Sequence, residues 1–206
     1  MAAAVRSFGE PSTERGRATR QALLDAAEEV FDELAFDRAS ITEITRRAGV
    51  AQGTFYLYFS DKKAIFVELV ETLSHGLRSA IAEAVAGSPN RVEVERRGFQ
   101  VFFDYITDHP SFYKLVRESE FVAPELFRSY YDGFLEGYVP GLETAMANGE
   151  IDDGIDPEVL AFCLMGVGEI IGLRYVVWGE RPLDPQVFEQ VWRFMLRGLA
   201  APGEAT

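Results

Sequence analysis

Apolar positions recur at helical spacing along almost the whole chain. Between Thr13 and Phe36, Leu24, Ala27, Phe31 and Leu34 follow one another at steps of three and four, which lines one face of a helix. Ser40-Ile-Thr-Glu43 has the form of a capping box. It opens a short helix from Ile41 to Ala48, closed by Gly49, a residue suited to the left-handed end of a helix. A second short helix is expected over Gln52–Tyr58, and Ser60-Asp61 offers the N-cap of a longer one running to about Ala86. Past the break at Gly87-Ser88-Pro89 the pattern predicts helices near 91–107, 110–119, 124–148, 157–179 and 185–199. Ala123-Pro124, Asp156-Pro157 and Asp184-Pro185 place proline just inside a first turn, where its missing N–H costs little. Pro140, deep in the 124–148 segment, is expected to kink that helix or split it. No stretch alternates with the period of a strand and no unit repeats, so the expected fold class is all-α, with about nine helices. The expected division is a three-helix N-terminal domain over 13–62 and a helical C-terminal domain over 63–200. Residues 1–12 and 201–206, rich in Pro, Gly, Ala and Ser, read as mobile tails.

Composition sharpens this picture at three points. Over 206 residues, 48% hydrophobic and 26% charged positions suit a packed core. The net charge is −13, but residues 1–63 carry only −1 of it and the rest −12. So acidic a balance ordinarily argues against nucleic acid. Docking follows local charge, however, and a near-neutral front with an acidic rear reads as two modules with different partners. The single cysteine, Cys163, excludes an intramolecular disulfide or a CxxC site, and two histidines, His75 and His109, leave little for a metal centre. The first residues lack the apolar core of a secretory signal. The longest charge-free run near the C-terminus, Val159–Gly168, is ten residues, short of a bilayer span. A cytoplasmic protein without a metal or cofactor, and with no membrane partner, is expected.

The chemistry concentrates in residues 41–58, two short helices joined by a tight turn. Ile41, Ile44 and Ala48 pack the first, Val50 plugs the turn, and Phe55 and Phe59, four apart, anchor the second inward. That leaves Gln52, Gly53, Thr54, Tyr56 and Tyr58 at its N-terminal end and outer face. Gln pairs bidentately with an adenine edge, Thr offers a hydroxyl and a methyl, and Gly53 permits close backbone approach to a phosphate. Tyrosine hydroxyls, the Lys62 ammonium and the helix N-terminus suit phosphate oxygens. On spacing alone the same pattern equally suits a plain three-helix packing unit.

Residues 19–66, TRQALLDAAEEVFDELAFDRASITEITRRAGVAQGTFYLYFSDKKAIF, closely resemble the DNA-binding domain of the TetR-type family of bacterial transcriptional regulators. The shared marks are Ala26-Ala27 with Phe31, Ile44 with Ala48-Gly49-Val50, Gly53-Thr54-Phe55-Tyr56, Tyr58-Phe59 and Lys62. Ala35 stands where the family usually has a glycine after the first helix, and Lys63 where an acidic residue often follows the lysine. The resemblance implies that Gln52, Gly53, Thr54, Tyr56, Tyr58 and Lys62 face double-stranded operator DNA, with Thr42 touching its backbone. Charge and position add Arg46 and Arg47, each equally readable as a solvated surface arginine. Arg15, Arg17 and Arg20 precede or open the first helix and are candidates to reach phosphates or the minor groove, with a mobile solvated tail the preferred reading for Arg15.

Specific reading by one such module implies a dimer on a two-fold related site. The segments 157–179 and 185–199 are apolar on more than one face, and the family pairs its last two helices with their copies in a four-helix bundle. Leu164, Gly168, Ile171, Gly172, Val191 and Phe194 are therefore the candidate interface of a homodimer, against the alternative of ordinary intrachain core. In the middle of the chain, twelve of twenty-six aromatics crowd residues 99–138. By the resemblance this region encloses a small-molecule inducer. Phe102, Tyr105, Phe121, Tyr130, Phe134 and Tyr138 are the candidate walls, with Glu169 and Arg174 as polar groups. Gly133, Gly137 and Gly141, four apart, bare one helix face for ligand or for close packing. Gly166–Gly172 is one residue too long for GxGxxG and lies within a helix, and residues 148–159 fail the spacing of a calcium loop. No acid, base or nucleophile constellation stands out, so no catalytic residue is assigned. Cys163 reads as a small core residue. The reading is a ligand-responsive DNA-binding regulator acting as a repressor; the alternative is an all-helical interaction adaptor that binds no specific DNA.

Overall fold

The computed structural model describes residues 11–199, so the expected tail at 201–206 and most of that at 1–12 lie outside the described residues. Within them the chain forms α1 (Glu14–Arg38), α2 (Ile41–Arg47), α3 (Gln52–Phe55), α4 (Lys62–Val85), α5 (Arg91–Asp108), α6 (Pro110–Val122), α7 (Pro124–Ala147), α8 (Pro157–Gly172) and α9 (Pro185–Leu199). No strand occurs among the described residues, and a π-helical turn, Leu173–Val177, extends α8. Caps stand where the local sequence puts them. Asn90, Asp156 and Asp184 each accept from the first turn of the following helix, and Gly49 closes α2 at φ 68°.

Two compact units result. The first comprises the described residues to Leu73 together with Lys114–Arg128. Its core is aromatic: the Phe66 ring meets Phe31 edge-on at 5.3 Å and Phe36 at 5.2 Å, with Ile44, Phe55 and Phe59 buried alongside α1, α2 and the start of α4. The second comprises Ser74–Tyr113 and the described residues from Ser129. There α5 packs against α8, the π-turn and α9, burying Phe103, Ile106, Leu164, Phe188 and Trp192.

Four local expectations need correction. The capping box forms only by half: Ser40 Oγ accepts from Glu43 N at 3.1 Å, but the Glu43 carboxylate turns to Arg46 and Arg47, which offer charged donors. The expected helix over 52–58 is α-helical only to Phe55, then tightens through i+3 bonds from Leu57 and Tyr58. Helix α7 continues through Pro140. That proline is solvent-exposed, and Leu142 and Ala145 beyond it are buried, which holds the following turns in the core despite one lost backbone bond. Finally, the run Pro157–Val177 is long and apolar enough, by length and composition, to cross a bilayer, with mean hydropathy 1.8, because Glu169 and Arg174 interrupt it too sparsely to lower the average. In this unit Leu160, Ala161, Leu164, Gly168 and Gly172 bury one face of it.

The end of α1 carries strain. Ala35 adopts φ 59°, ψ 164°, a region that only glycine occupies freely. The neighbouring groups hold it there. Lys62 Nζ donates to Phe36 O at 2.5 Å and Ala39 O at 2.8 Å and lies 4.3 Å from the Phe36 ring centroid. From α6, Glu118 Oε1 accepts Phe36 N–H at 2.7 Å, and Lys114 pairs with Asp32 at 2.6 Å. We therefore expect Ala35→Gly to stabilise the protein by about 1 kcal/mol, the relieved strain less the extra freedom of an unfolded glycine. Lys62→Met, which removes both carbonyl contacts, should destabilise it by about 1–2 kcal/mol. Denaturant unfolding monitored by circular dichroism measures both, and equal midpoints for all three proteins would overturn the account.

Candidate functional site

The first unit presents a small polar edge built on a buried hydrophobic footing. Phe55 and Phe59 are buried with ring centroids 5.5 Å apart. Spaced by one turn, they leave the residues between them no choice but to face outward. Gln52 and Gly53 are exposed, Tyr56 is 48% and Leu57 69% exposed, and Thr54 is half-buried. Nothing lies within 4 Å of where a Cβ on Gly53 would sit, so the fold does not require glycine there; its effect is to leave the backbone bare at the start of α3. Tyr58 is half-buried, its hydroxyl 3.7 Å from where a Cβ on Gly16 would lie. Thr42 is exposed on α2. Leu57 was absent from the expected set. Its signal is an aliphatic side chain left in solvent on a surface otherwise polar, suited to a thymine methyl.

The basic residues are more constrained than sequence suggests. Arg46 is exposed, yet its guanidinium is gripped by Glu43 in a two-point pair, Nε to Oε2 at 2.9 Å and Nη2 to Oε1 at 2.7 Å. Arg47 donates to Glu43 at 2.9 Å and to both oxygens of Glu33 at 2.9 and 2.6 Å. The hydrogen bonds from Arg46 and Arg47 bring the Glu43 carboxyl down to about 2, and that from Arg47 lowers Glu33. Arg20 pairs with Glu68 and lies over the Phe59 ring, so it packs the head. Arg17 reaches Pro11 O at 3.3 Å, and Arg15 is exposed. The expectation for Lys62 changes most. Its ammonium, placed on sequence grounds at a phosphate, sits on the α1 carbonyls, because two backbone acceptors and a ring face lie within reach of its stem.

The second unit encloses a cavity of about 400 Å³. Phe102, Tyr130, Phe134, Tyr138 and Glu169 line it, as expected, and so do Gly133 and Gly137 of the bared α7 face. Three expected residues do not. Phe121 is 83% exposed, Tyr105 stacks on His109 at 4.3 Å, and Arg174 is exposed beyond the π-turn, over the Tyr175 ring. The apolar wall is completed by Ile81, Val85, Val94, Phe99 and Met165. Sequence reasoning missed its polar members, Arg78, Arg91 and Glu95. Arg91 Nε donates to Glu95 Oε1 at 2.6 Å, and the Tyr138 hydroxyl donates to Glu95 Oε2. Burial pushes the Glu95 carboxyl up against the opposing pull of Arg91, and pushes the Tyr138 and Tyr130 hydroxyls well above the ordinary phenol value, so both stay neutral donors. Glu169 Oε2 accepts from the Tyr131 hydroxyl at 3.2 Å.

The candidate interface also needs correction. Leu164, Gly168 and Gly172 face inward: a Cβ on Gly168 would sit 2.9 Å from Phe99 Cε1, and one on Gly172 2.7 Å from Ile106 Cδ1. These glycines serve close approach of α5 to α8 within one chain. Ile171 and Val191 are half-buried, while Phe194 is 68% exposed. The outward apolar stripe runs instead through Val159, Phe162, Gly166 and Ile170 on α8, on to Trp178, with Phe194 and Leu196 on α9. Cys163 lies exposed beside it, not in the core, because the inward positions of that turn are taken by Leu160 and Leu164.

Two short helices with a bare-backboned, hydroxyl-rich edge, followed by a helical unit around a cavity, have the form of a helix-turn-helix regulator of transcription. Residues 23–69 match the family described as bacterial regulatory proteins, tetR family. The chain is 30% identical to the HTH-type transcriptional activator FasR of Mycolicibacterium smegmatis, over 80% of this chain and 75% of that protein. It is 26% identical to the HTH-type regulator YvdT of Bacillus subtilis, over 86% of this chain and 93% of that one. Among solved structures, FadR from Bacillus subtilis in complex with stearoyl-CoA shares the fold, with a TM-score of 0.76 at 21% identity over 87% of this chain and 98% of that one. The chain belongs to the tetR family.

The Glu43 clamp makes a prediction of its own. Glu43→Gln should loosen Arg46 and raise affinity for random duplex DNA, with a log–log salt slope steeper by about one phosphate contact. Fluorescence anisotropy across a salt series measures it; an unchanged slope would sink the idea that this carboxylate competes with phosphate.

Proposed function

We propose that this protein is a homodimeric, ligand-responsive repressor that reads operator DNA through α2 and α3 and is released by a small apolar or aromatic inducer held in the cavity of its second unit. The observation that carries this reading is the exposed edge Gln52-Gly53-Thr54 with Tyr56 and Leu57, set on a buried Phe55–Phe59 footing. In this reading Gln52 and Leu57 contact base edges. Gly53, Thr54, Tyr56, Tyr58 and Thr42 contact phosphate or sugar, and Arg46 joins them when phosphate displaces Glu43. Lys62 acts on the head's own backbone and positions the edge. An acidic chain can bind DNA this way because the head itself is near neutral.

Dimerisation is assigned to the outward stripe of α8 and α9, whose apolar surplus calls for a second copy of the same surface. Two heads on one operator then face grooves about 34 Å apart or a multiple of it. A ligand lowers operator affinity only by as much as it prefers the conformer whose heads no longer match that spacing. That FadR is described with stearoyl-CoA supports a ligand with a large apolar part. FasR is named an activator, so the sign of regulation is a property of operator placement and is checked by reporter transcription with and without the protein.

Selection from random duplexes should return a two-fold related site. Gln52→Ala should relax preference at one base position per half-site, with a loss there of about 1–3 kcal/mol of discrimination. Ile170→Asp should give a monomer by sedimentation with operator affinity reduced at least about tenfold, since one head reads too few base pairs. Recovery of no enriched sequence would favour the adaptor reading.

A further inference from the structure

Within the cavity the polar groups are unequally used. Glu95 is shared by Arg91 and Tyr138, and Glu169 is engaged by Tyr131. Arg91 is 8% exposed. Its Nη2 lies 2.5 Å from Glu95 Oε1, in ion-pair contact but without hydrogen-bond geometry, and has no acceptor. The Arg78 guanidinium, by contrast, makes no hydrogen bond or ion pair among the described residues. It lies 5.9 Å from the Phe134 ring centroid, and a Cβ on Gly133 would sit 3.2 Å from its Nη1. Gly133 therefore gives the guanidinium its place along α7, at the cavity wall beside the Phe134 ring.

An unspent guanidinium on an aromatic face is a receptor for a planar anion, which it holds bidentately, and low polarity around it strengthens that bond. We propose that the ligand of this cavity is an amphiphilic carboxylic acid: its carboxylate is bound by Arg78, its apolar body lies among Val94, Phe99, Phe102 and Met165, and Arg91 Nη2 is a second donor for an acceptor on the ligand. The proposal rests on the reading that this cavity holds the controlling ligand, and it narrows that ligand from any apolar molecule to one with an acid group.

The test uses the intact protein without DNA, by calorimetry and thermal shift, with decanoate, decanol, decylamine and decanoyl-CoA as probes. Decanoate should bind about ten- to a hundredfold more tightly than decanol, the range expected of a charge-assisted pair, and decylamine more weakly still. Arg78→Gln should bring decanoate down to the affinity of decanol while leaving decanol unchanged, which also shows that the variant is folded. Arg78→Lys should recover part of the difference. Equal binding of decanoate and decanol to the unsubstituted protein overturns the proposal. So does binding of decanoyl-CoA alone, which would identify a thioester as the source of the acyl group, or binding of no probe. A separate operator shift keeps the readings distinct: decanoate bound with operator affinity unchanged sinks ligand control but not the acid site, and operator affinity lowered by decanol or decanoyl-CoA with decanoate unbound sinks the acid site alone.

Discussion

Burial of Phe55 and Phe59 is the constraint on which the exposed edge of α3 depends. A helical turn of four residues has almost no stability of its own, because nucleation is unfavourable and few backbone bonds are gained. Its orientation is set by two phenyl rings in a core shared with Ile44, Phe66 and α1. Rotating α3 by one position would bring a phenyl into water at a cost of about 2 kcal/mol. The register of Gln52, Thr54 and Tyr56 is thereby fixed by groups that never meet the partner. So short a turn also aligns few peptide dipoles.

The same unit holds basic side chains in ion pairs. Its arginines are not free charges waiting in solvent. Glu33 and Glu43 hold Arg46 and Arg47 in defined positions, which removes part of the entropy of ordering them later but mutes their field. A surface built this way favours partners that offer several oxygens at fixed spacing over diffuse negative charge. The cavity of the second unit inverts the arrangement. There Arg91 is paired with the buried Glu95, while Arg78 lies against the Phe134 ring.

Much of this was legible in the chain. Helix spans followed from apolar spacing, Gly49 from its place at the end of α2, and the Asp156 and Asp184 caps from the prolines after them. Gly133 and Gly137, read as a bare face, do line the cavity with the aromatic residues around them. What escaped the sequence was mostly direction. Helix α8 is apolar on both sides, so its periodicity could not tell Leu164, Gly168 and Gly172, packed on α5, from Phe162 and Ile170 in solvent. Arg91 and Glu95, four apart, were not singled out in the sequence; the fold brings Tyr138 and Gly141 over them. Lys62 sought acceptors more than twenty residues away, which no local pattern records. Ala35 was noted in the sequence only as a departure from the usual glycine; the structure gives it φ 59°.

The π-turn at Leu173–Val177 closes an i+5 bond, Trp178 N to Leu173 O at 2.9 Å, and so accommodates one residue more than an α-helical turn. A continuous α-helix of the same length would be rotated by about 100° beyond this point, exchanging Val176, now buried, with its solvent-facing neighbours. The bulge therefore works as a phase corrector. It keeps Val176 in the buried series of Leu164, Gly168 and Gly172 up to the point where the helix ends.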